Sequence, residues 1–260
     1  MKIVVLAGGL STERQVSLTS GTGVCRALRE RGHQAILVDM FLGLEDYNGS
    51  LADIFDAPDG LCGDNRVLST APDLEAVRRS RRDQGPSLLG KDVLTVCAMA
   101  DLVFLALHGS CGEDGRIQAT LDLLGVPYTG SGYLGSAIAM NKELSKIMFR
   151  NNGIPTPFGI VLDKGAESYA DVGFPCVVKP CSGGSSVGTS IVHSRDEYNS
   201  ALEFAFRFEA RVLVEKYVKG RELTVGVIDG KAMPVIEIIP KNGWYDYKNN
   251  CLLYTSPSPR

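Results

Sequence analysis

Nowhere does the chain hold an apolar run near the roughly 20 residues that a helix needs to cross a bilayer, which argues against a membrane span. The opening Met1–Gly9 is apolar too briefly for the core of a secretory signal and reads as a first β-strand. An excess of one charge is also lacking. Against 27 basic residues stand 30 acidic ones, a net charge of -3, so no general nucleic-acid or membrane-surface footprint is expected. Histidines number only three, and they do not cluster with the seven cysteines at 25, 62, 97, 111, 176, 181 and 251. No C-x-x-C occurs. A zinc site or a disulfide framework is therefore not indicated, and a reducing cytoplasm is the expected location.

What is present is an ordinary globular composition, 44% hydrophobic and 22% charged over 260 residues. That length suits one large domain or two smaller ones. Strand-like and helix-like segments alternate in the first half. Ile3 to Leu6, Ala35 to Val38 and Leu102 to Leu107 read as strands, with a short Val126 to Tyr128 strand after them. Val16 to Arg31 and Ile117 to Leu124 read as helices stopped by Gly32 and Gly125. Such alternation predicts an α/β domain with a parallel sheet, whose ligands lie beyond the C-terminal strand ends. Residues 46–92 are less legible. Their basic run, Arg78, Arg79, Arg81 and Arg82, is expected to be a solvated helix face or insertion.

Beyond Ser131 the pattern changes. A turn at Gly132–Gly135 and one helix from Ser136 to Asn151 precede a strand–loop–strand unit around Cys176–Val192, a helix at Tyr198–Phe206 and a strand at Arg211–Val218. Asp229-Gly230 between two apolar runs is a strong hairpin signal. This half is expected to be α+β, with a domain boundary near 130.

Four segments carry polar groups suited to chemistry. In Val177-Val-Lys-Pro-Cys-Ser-Gly-Gly-Ser-Ser-Val-Gly, Gly183, Gly184 and Gly188 allow close backbone approach, and Lys179 supplies a point charge. A phosphate cradle is the favoured reading over a surface turn. The segment is neither a Walker A loop nor a dinucleotide fingerprint. Glu215, Lys216 and Glu222 could meet a nucleotide's base and ribose, though taken alone the segment reads better as a charged edge on an exposed strand. Glu13 stands just past a strand end, where a carboxylate can meet an ammonium. His108 ends another strand, with Glu113 and Asp114 in the following turn, and either of those acids could cap the next helix.

The segments LAGGLSTERQVS, ALHGSCGEDGRIQ, GVPYTGSG, MNKELSK, VVKPCSGGSSVG, VEKYVKGRELTV and GWYDYKN occur in this order. Together they resemble the D-alanine–D-alanine ligase family of the ATP-grasp superfamily, over residues 1–250 and most weakly across 46–92. The resemblance implies a D-alanine-binding α/β domain over 1–130 of Rossmann-like, pre-ATP-grasp type. A central ATP-grasp domain would follow over 131–219, with its phosphate-covering loop at 181–189. The start of a C-terminal ATP-grasp domain would occupy 220–250. The implied reaction makes a peptidoglycan precursor. ATP phosphorylates one D-alanine carboxylate, a second D-alanine's amine attacks the acyl phosphate, and ADP and phosphate leave.

By the same resemblance, Glu13 holds the first D-alanine's ammonium and His108 lies near the substrate carboxylate. Ser185 orients Glu13. Lys142 and Lys179 meet ATP phosphates. Ser185, Ser186 and Val187 belong to the covering loop, and Ser186 also contacts substrate. Glu215 and Lys216 lie at adenine, and Glu222 binds ribose. ATP and Mg2+ (or Mn2+) are implied, the metal's ligands lying outside this chain. D-alanine is the expected partner, without nucleic acid or membrane, in a full-length homodimer. Fixed cations and loop amides suit a step that gathers negative charge, and a closed loop would keep water from the intermediate.

The last residues, Cys251 to Arg260, depart from the family pattern. Residues 250–260 coincide with the translation of a sequencing-library adapter. The tail is thus expected to be non-native, the reading frame truncated, and Asn250 to stand where the family has lysine. A D-alanine–D-lactate ligase is the close alternative, and the Gly243-Trp-Tyr-Asp-Tyr-Lys lead-in favours the dipeptide. In a third reading the chain as written binds nucleotide or D-alanine without turnover.

Overall fold

A computed structural model describes residues 1–63, 72–165, 172–182, 184 and 187–239. It divides into two compact units, Met1–Asn141 and Lys142–Arg260. Among the described residues, no helix is long and apolar enough to cross a membrane.

In the first unit, strands β1 (Lys2–Ala7), β2 (Gln34–Asp39) and β3 (Leu102–Leu105) form a parallel sheet in the order β2-β1-β3. Val4 sits opposite Ile36 on one side and Val103 on the other. The strands read as nearly unbroken apolar runs because both faces of the sheet are covered. Ile3, Val5 and Ala7 join Ala35, Leu37 and Cys25 in one core cluster. Val4, Leu6, Ile36 and Val38 face the opposite cluster, with Val96, Ile117 and Leu121. Cys25 belongs to helix α1 (Arg14–Glu30). The other face is covered by α3 (Val93–Ala98) and α4 (Arg116–Leu124), which follow a short exposed helix α2 (Leu74–Ser80). Gly21 explains how close α1 lies to the sheet. A Cβ there would stand 2.7 Å from the Ala7 side chain and 2.9 Å from that of Leu37.

Three expectations need correction here. Tyr128 forms only an isolated parallel bridge to Val103, because the chain touches the sheet edge through Pro127 and Thr129 and departs. The predicted helix from Ser136 to Asn151 is two helices, α5 (Tyr133–Met140) and α6 (Lys142–Asn151). Asn141 between them is extended, at φ -92° and ψ 105°. α5 also absorbs most of the predicted Gly132–Gly135 turn. Finally, the basic run is not uniformly solvated. Arg78 and Arg79 are exposed, but Arg81 is buried. Its guanidinium donates to the carbonyls of Asp83, Gly85 and Ser87 and lies over the Phe41 ring. A loop that turns its carbonyls inward needs such a donor.

The second unit is built on an antiparallel sheet of β4 (Gly159–Asp163), β5 (Cys176–Pro180), β6 (Ser190–Val192) and β7 (Arg211–Lys216), in the order β4-β7-β5-β6. The expected strand–loop–strand hairpin is the β5–β6 pair. Helix α7 (Arg195–Ala205) buries Tyr198, Ala201 and Ala205 against Cys176, Val178, Val192, Val212 and Val214. Ser194 caps this helix by accepting from the Glu197 N–H, and the first turn carries Asp196 and Glu197, as the helix dipole favours. The Asp229-Gly230 turn lies between β9 (Val227–Ile228) and β10 (Lys231–Ala232), with positive φ at both residues. That is the backbone a tight primed turn requires. The pairing resumes between β8 (Glu222–Thr224) and β11 (Ile236–Ile238).

Candidate functional site

Two groups of predicted residues stand out, one in each unit. In the first, β1 and β3 end side by side, so the loops after them meet although they lie nearly a hundred residues apart in sequence. Ser11 joins them. Its hydroxyl donates to the His108 carbonyl at 2.8 Å and accepts the Glu13 N–H at 3.3 Å. A second hydroxyl, Ser17, accepts from the Gly8 N–H and donates to the Ala106 carbonyl. Both serines are buried. The Glu13 carboxylate then lies against the His108–Gly109 turn. A Cβ on Gly109, whose φ is +73°, would stand only 2.7 Å from Glu13 Oε2.

Glu13 is the residue before α1, yet its side chain makes no capping bond. His108 Nε2 is buried and has no hydrogen-bond partner among the described residues. A satisfied structural histidine does not fit that observation, because an unpaired buried nitrogen costs free energy. Glu113 does not cap α4. It accepts the Gly109 N–H at 2.7 Å, while Asp114 accepts the N–H groups of Cys111 and Arg116. The turn bearing His108 is therefore held by its own acids.

In the second unit, the strand register gathers charge. Val177 pairs with Glu215 and Lys179 with Leu213, so Lys179 and Glu215 are diagonal neighbours on one face of the sheet. They form an ion pair. Lys146, on α6, reaches the other oxygen of Glu215 at 2.5 Å and also donates to Thr156 Oγ1 and the Pro157 carbonyl. Gly159 lies opposite Glu215 in β4, where a Cβ would come within 2.7 Å of the Glu215 Cβ. Burial alone would push the Glu215 carboxyl up, but the Lys179 and Lys146 ammonium groups outweigh it and hold the carboxyl below the ordinary value.

Lys142 opens α6, and its N–H donates to the Cys181 carbonyl at the end of β5. Its ammonium is held below the ordinary lysine value, first by burial and then by the like charge of Lys179. Two cations kept close and partly dry are strengthened by an arriving anion, which relieves both penalties.

The other predicted residues are less concentrated. Lys216 and Glu222 are exposed, and Val187 is half-buried beside Gly188. Ser185 and Ser186 lie outside the described residues, as do Gly183 and the 240–260 stretch. Among the described residues, no three His, Cys, Asp or Glu side chains gather as a metal site. Sequence reasoning missed the linking role of Ser11 and the pairing of Lys146 with Glu215. The first had no signal beyond its place in LSTERQVS. The second had one, since Lys142 and Lys146 lie four apart on a helix and share a face. It also missed Arg14, buried and paired with Asp39, which donates to the Gly9 carbonyl.

Family models described as the D-ala D-ala ligase N-terminus and the D-ala D-ala ligase C-terminus match residues 2–131 and 153–256. A D-alanine–D-alanine ligase of Pediococcus pentosaceus is 46% identical over 252 residues, covering 96% of this chain and 72% of that protein. One from Lacticaseibacillus casei is 45% identical, over 96% of this chain and 70% of the relative. Among solved structures, the Bacillus anthracis D-alanine–D-alanine ligase complexed with ATP is similar with a TM-score of 0.64 and 33% identity, over 92% of this chain and 66% of that one.

Proposed function

The chain belongs to the D-alanine–D-alanine ligase family, and from that membership we propose that its residues serve the ATP-driven joining of two D-alanines into a peptidoglycan precursor. The observation that carries the reading is the meeting of the Glu13 carboxylate with a turn whose buried His108 Nε2 has no partner among the described residues. An amino acid offers an ammonium to the first and a carboxylate to the second. In the other unit, Lys142 and Lys179 hold charge suited to a triphosphate, and Glu215 keeps Lys179 in place. Ser185, Ser186 and Val187 would cover the phosphates, and Lys216 and Glu222 would meet the base and ribose. The 1–130, 131–219 and 220–250 divisions are part of the same proposal.

ATP supplies the phosphoryl group that activates a carboxylate. Glu13 holds the ammonium and so fixes which carboxylate is presented. The lysines offset the negative charge that accumulates. Among the described residues no three His, Cys, Asp or Glu side chains gather, so these donors do not fit a divalent-metal site.

The chain spans about 70% of the first relatives' lengths, so the test separates binding from turnover. Calorimetry with ATP should show binding that Lys179→Ala weakens at least tenfold and that Arg78→Ala/Arg79→Ala leaves unchanged. Glu13→Gln should weaken D-alanine binding while thermal stability stays near wild type. Product analysis with ATP, magnesium, D-alanine and D-lactate should give the dipeptide if the chain turns over. A depsipeptide would instead assign the D-lactate alternative, and binding without product would make this chain the ligand-binding part alone. If the arginine pair matters more than Lys179, the nucleotide site is wrongly assigned.

A further inference from the structure

Outside both groups, the first unit brings two thiols together from opposite ends of a long stretch of chain. Cys25 lies on α1 and is fully buried, and Cys62 is half-buried in the loop after the short helix Leu51–Asp56. Cys62 lies near enough to Cys25 to help burial push its thiol up. Both also point at one acceptor, the Gly60 carbonyl, at 3.8 Å from Cys25 Sγ and 3.6 Å from Cys62 Sγ. The separation is held from several sides. Arg29 donates to the carbonyls of Ala57 and Pro58, Arg26 reaches that of Gly63, and the Leu37 N–H donates to the Gly60 carbonyl.

Neither cysteine contributes to the chemistry proposed above. At Cys25 burial outweighs the guanidinium groups of Arg26 and Arg29 and pushes the thiol up, but those cations favour its thiolate. They would also attract an oxidant that carries carboxylates.

We propose that Cys25 and Cys62 are a reversible disulfide site, oxidised by an anionic low-molecular-weight disulfide and tying α1 to the 57–63 loop. The accessible Cys62 thiolate attacks one sulfur of the small disulfide. A mixed disulfide forms and one small thiolate leaves. Cys25 then loses its proton to solvent and attacks Cys62 Sγ, expelling the second small thiolate. Two protein thiols become one disulfide, and the oxidant takes both electrons and departs as two thiols. Burial and Cys62 hold the Cys25 thiol at about 12, which makes the second step the slower one.

The test uses the 260-residue chain with glutathione disulfide, followed by alkylation of remaining thiols and peptide mapping, which also separates Cys251. The expected result is a Cys25–Cys62 linked peptide that dithiothreitol reverses, with Cys97, Cys111, Cys176 and Cys181 still alkylated only after denaturation. Cys25→Ser should stop at a glutathione adduct on Cys62, and Cys62→Ser should leave Cys25 unreacted. A lasting Cys62 adduct in the wild-type chain with Cys25 still free, or linkage between any other pair, would overturn the proposal. So would no loss of either thiol. The wild-type map decides even if a variant fails to fold.

Discussion

Glu13 and His108 owe their placement to a side chain that touches no substrate in the proposed reaction. Ser11 contributes two hydrogen bonds that tie the β1–α1 loop to the β3–α4 loop. Removing it leaves the part-buried His108 carbonyl without its donor, so Ser11→Ala should cost about 1 kcal/mol in denaturant unfolding. D-alanine binding should weaken in parallel, and Ser11→Thr, which keeps the hydroxyl, should restore most of it. Lys142 shows the opposite balance. Its folded value lies below the unfolded 10.5. Between those two values the unfolded chain holds a proton that the folded chain has released, so stability rises with pH in that window. While the ammonium is charged, its burial and the like charge of Lys179 oppose folding. Lys142→Met should therefore raise the melting temperature of the ligand-free chain and flatten the alkaline rise. It should also abolish most of the stabilisation that added ATP gives. A melting-temperature series over pH, with and without ATP, checks all three.

Helix α1 does its work by lying close to the sheet, which carries Glu13 and Arg14 to the C-terminal strand ends. Gly21 permits that approach at its contact with Ala7 and Leu37. Gly21→Val should overpack the interface and cost about 1–3 kcal/mol. The first-unit core should loosen while the hairpin of β9 and β10 is untouched, which hydrogen exchange would resolve by segment. The break between α5 and α6 is a second case of position set by an element's end. Asn141 turns the chain so that the Lys142 N–H meets the Cys181 carbonyl and the lysine stands where the β5–β6 loop begins. An unbroken helix would have spent that N–H on its own fourth preceding carbonyl.

Over the whole molecule, apolar surface is distributed unevenly. Leu223, Val227, Ile228 and Ile236 are exposed on two-stranded pairings, and Val225 and Val235 are exposed beside them. Short strands with bare apolar side chains and free edges favour association. Light scattering on the 260-residue chain should show concentration-dependent assembly, and Val227→Lys/Val235→Lys should suppress it without lowering the melting temperature. If the double variant associates as strongly as wild type, the contact lies elsewhere.

The local pattern alone determined the alternation that makes the first sheet parallel, the glycine stops at Gly32 and Gly125, and the Asp229-Gly230 turn, because each follows from short-range sterics and periodicity. The motifs likewise named Glu13, His108, Lys142 and Lys179. Their environments were not legible, since they depend on which distant segment comes to lie alongside. Glu215 read as an exposed strand acid or an adenine contact, and only the strand register and α6 enclosed it between Lys146 and Lys179. Arg81 read as solvated, and only the inward carbonyls of the 83–87 loop drew it under cover. Charge in a sequence has no address until the fold sets its neighbours and its distance from water, and those two quantities fix what a charged side chain can do.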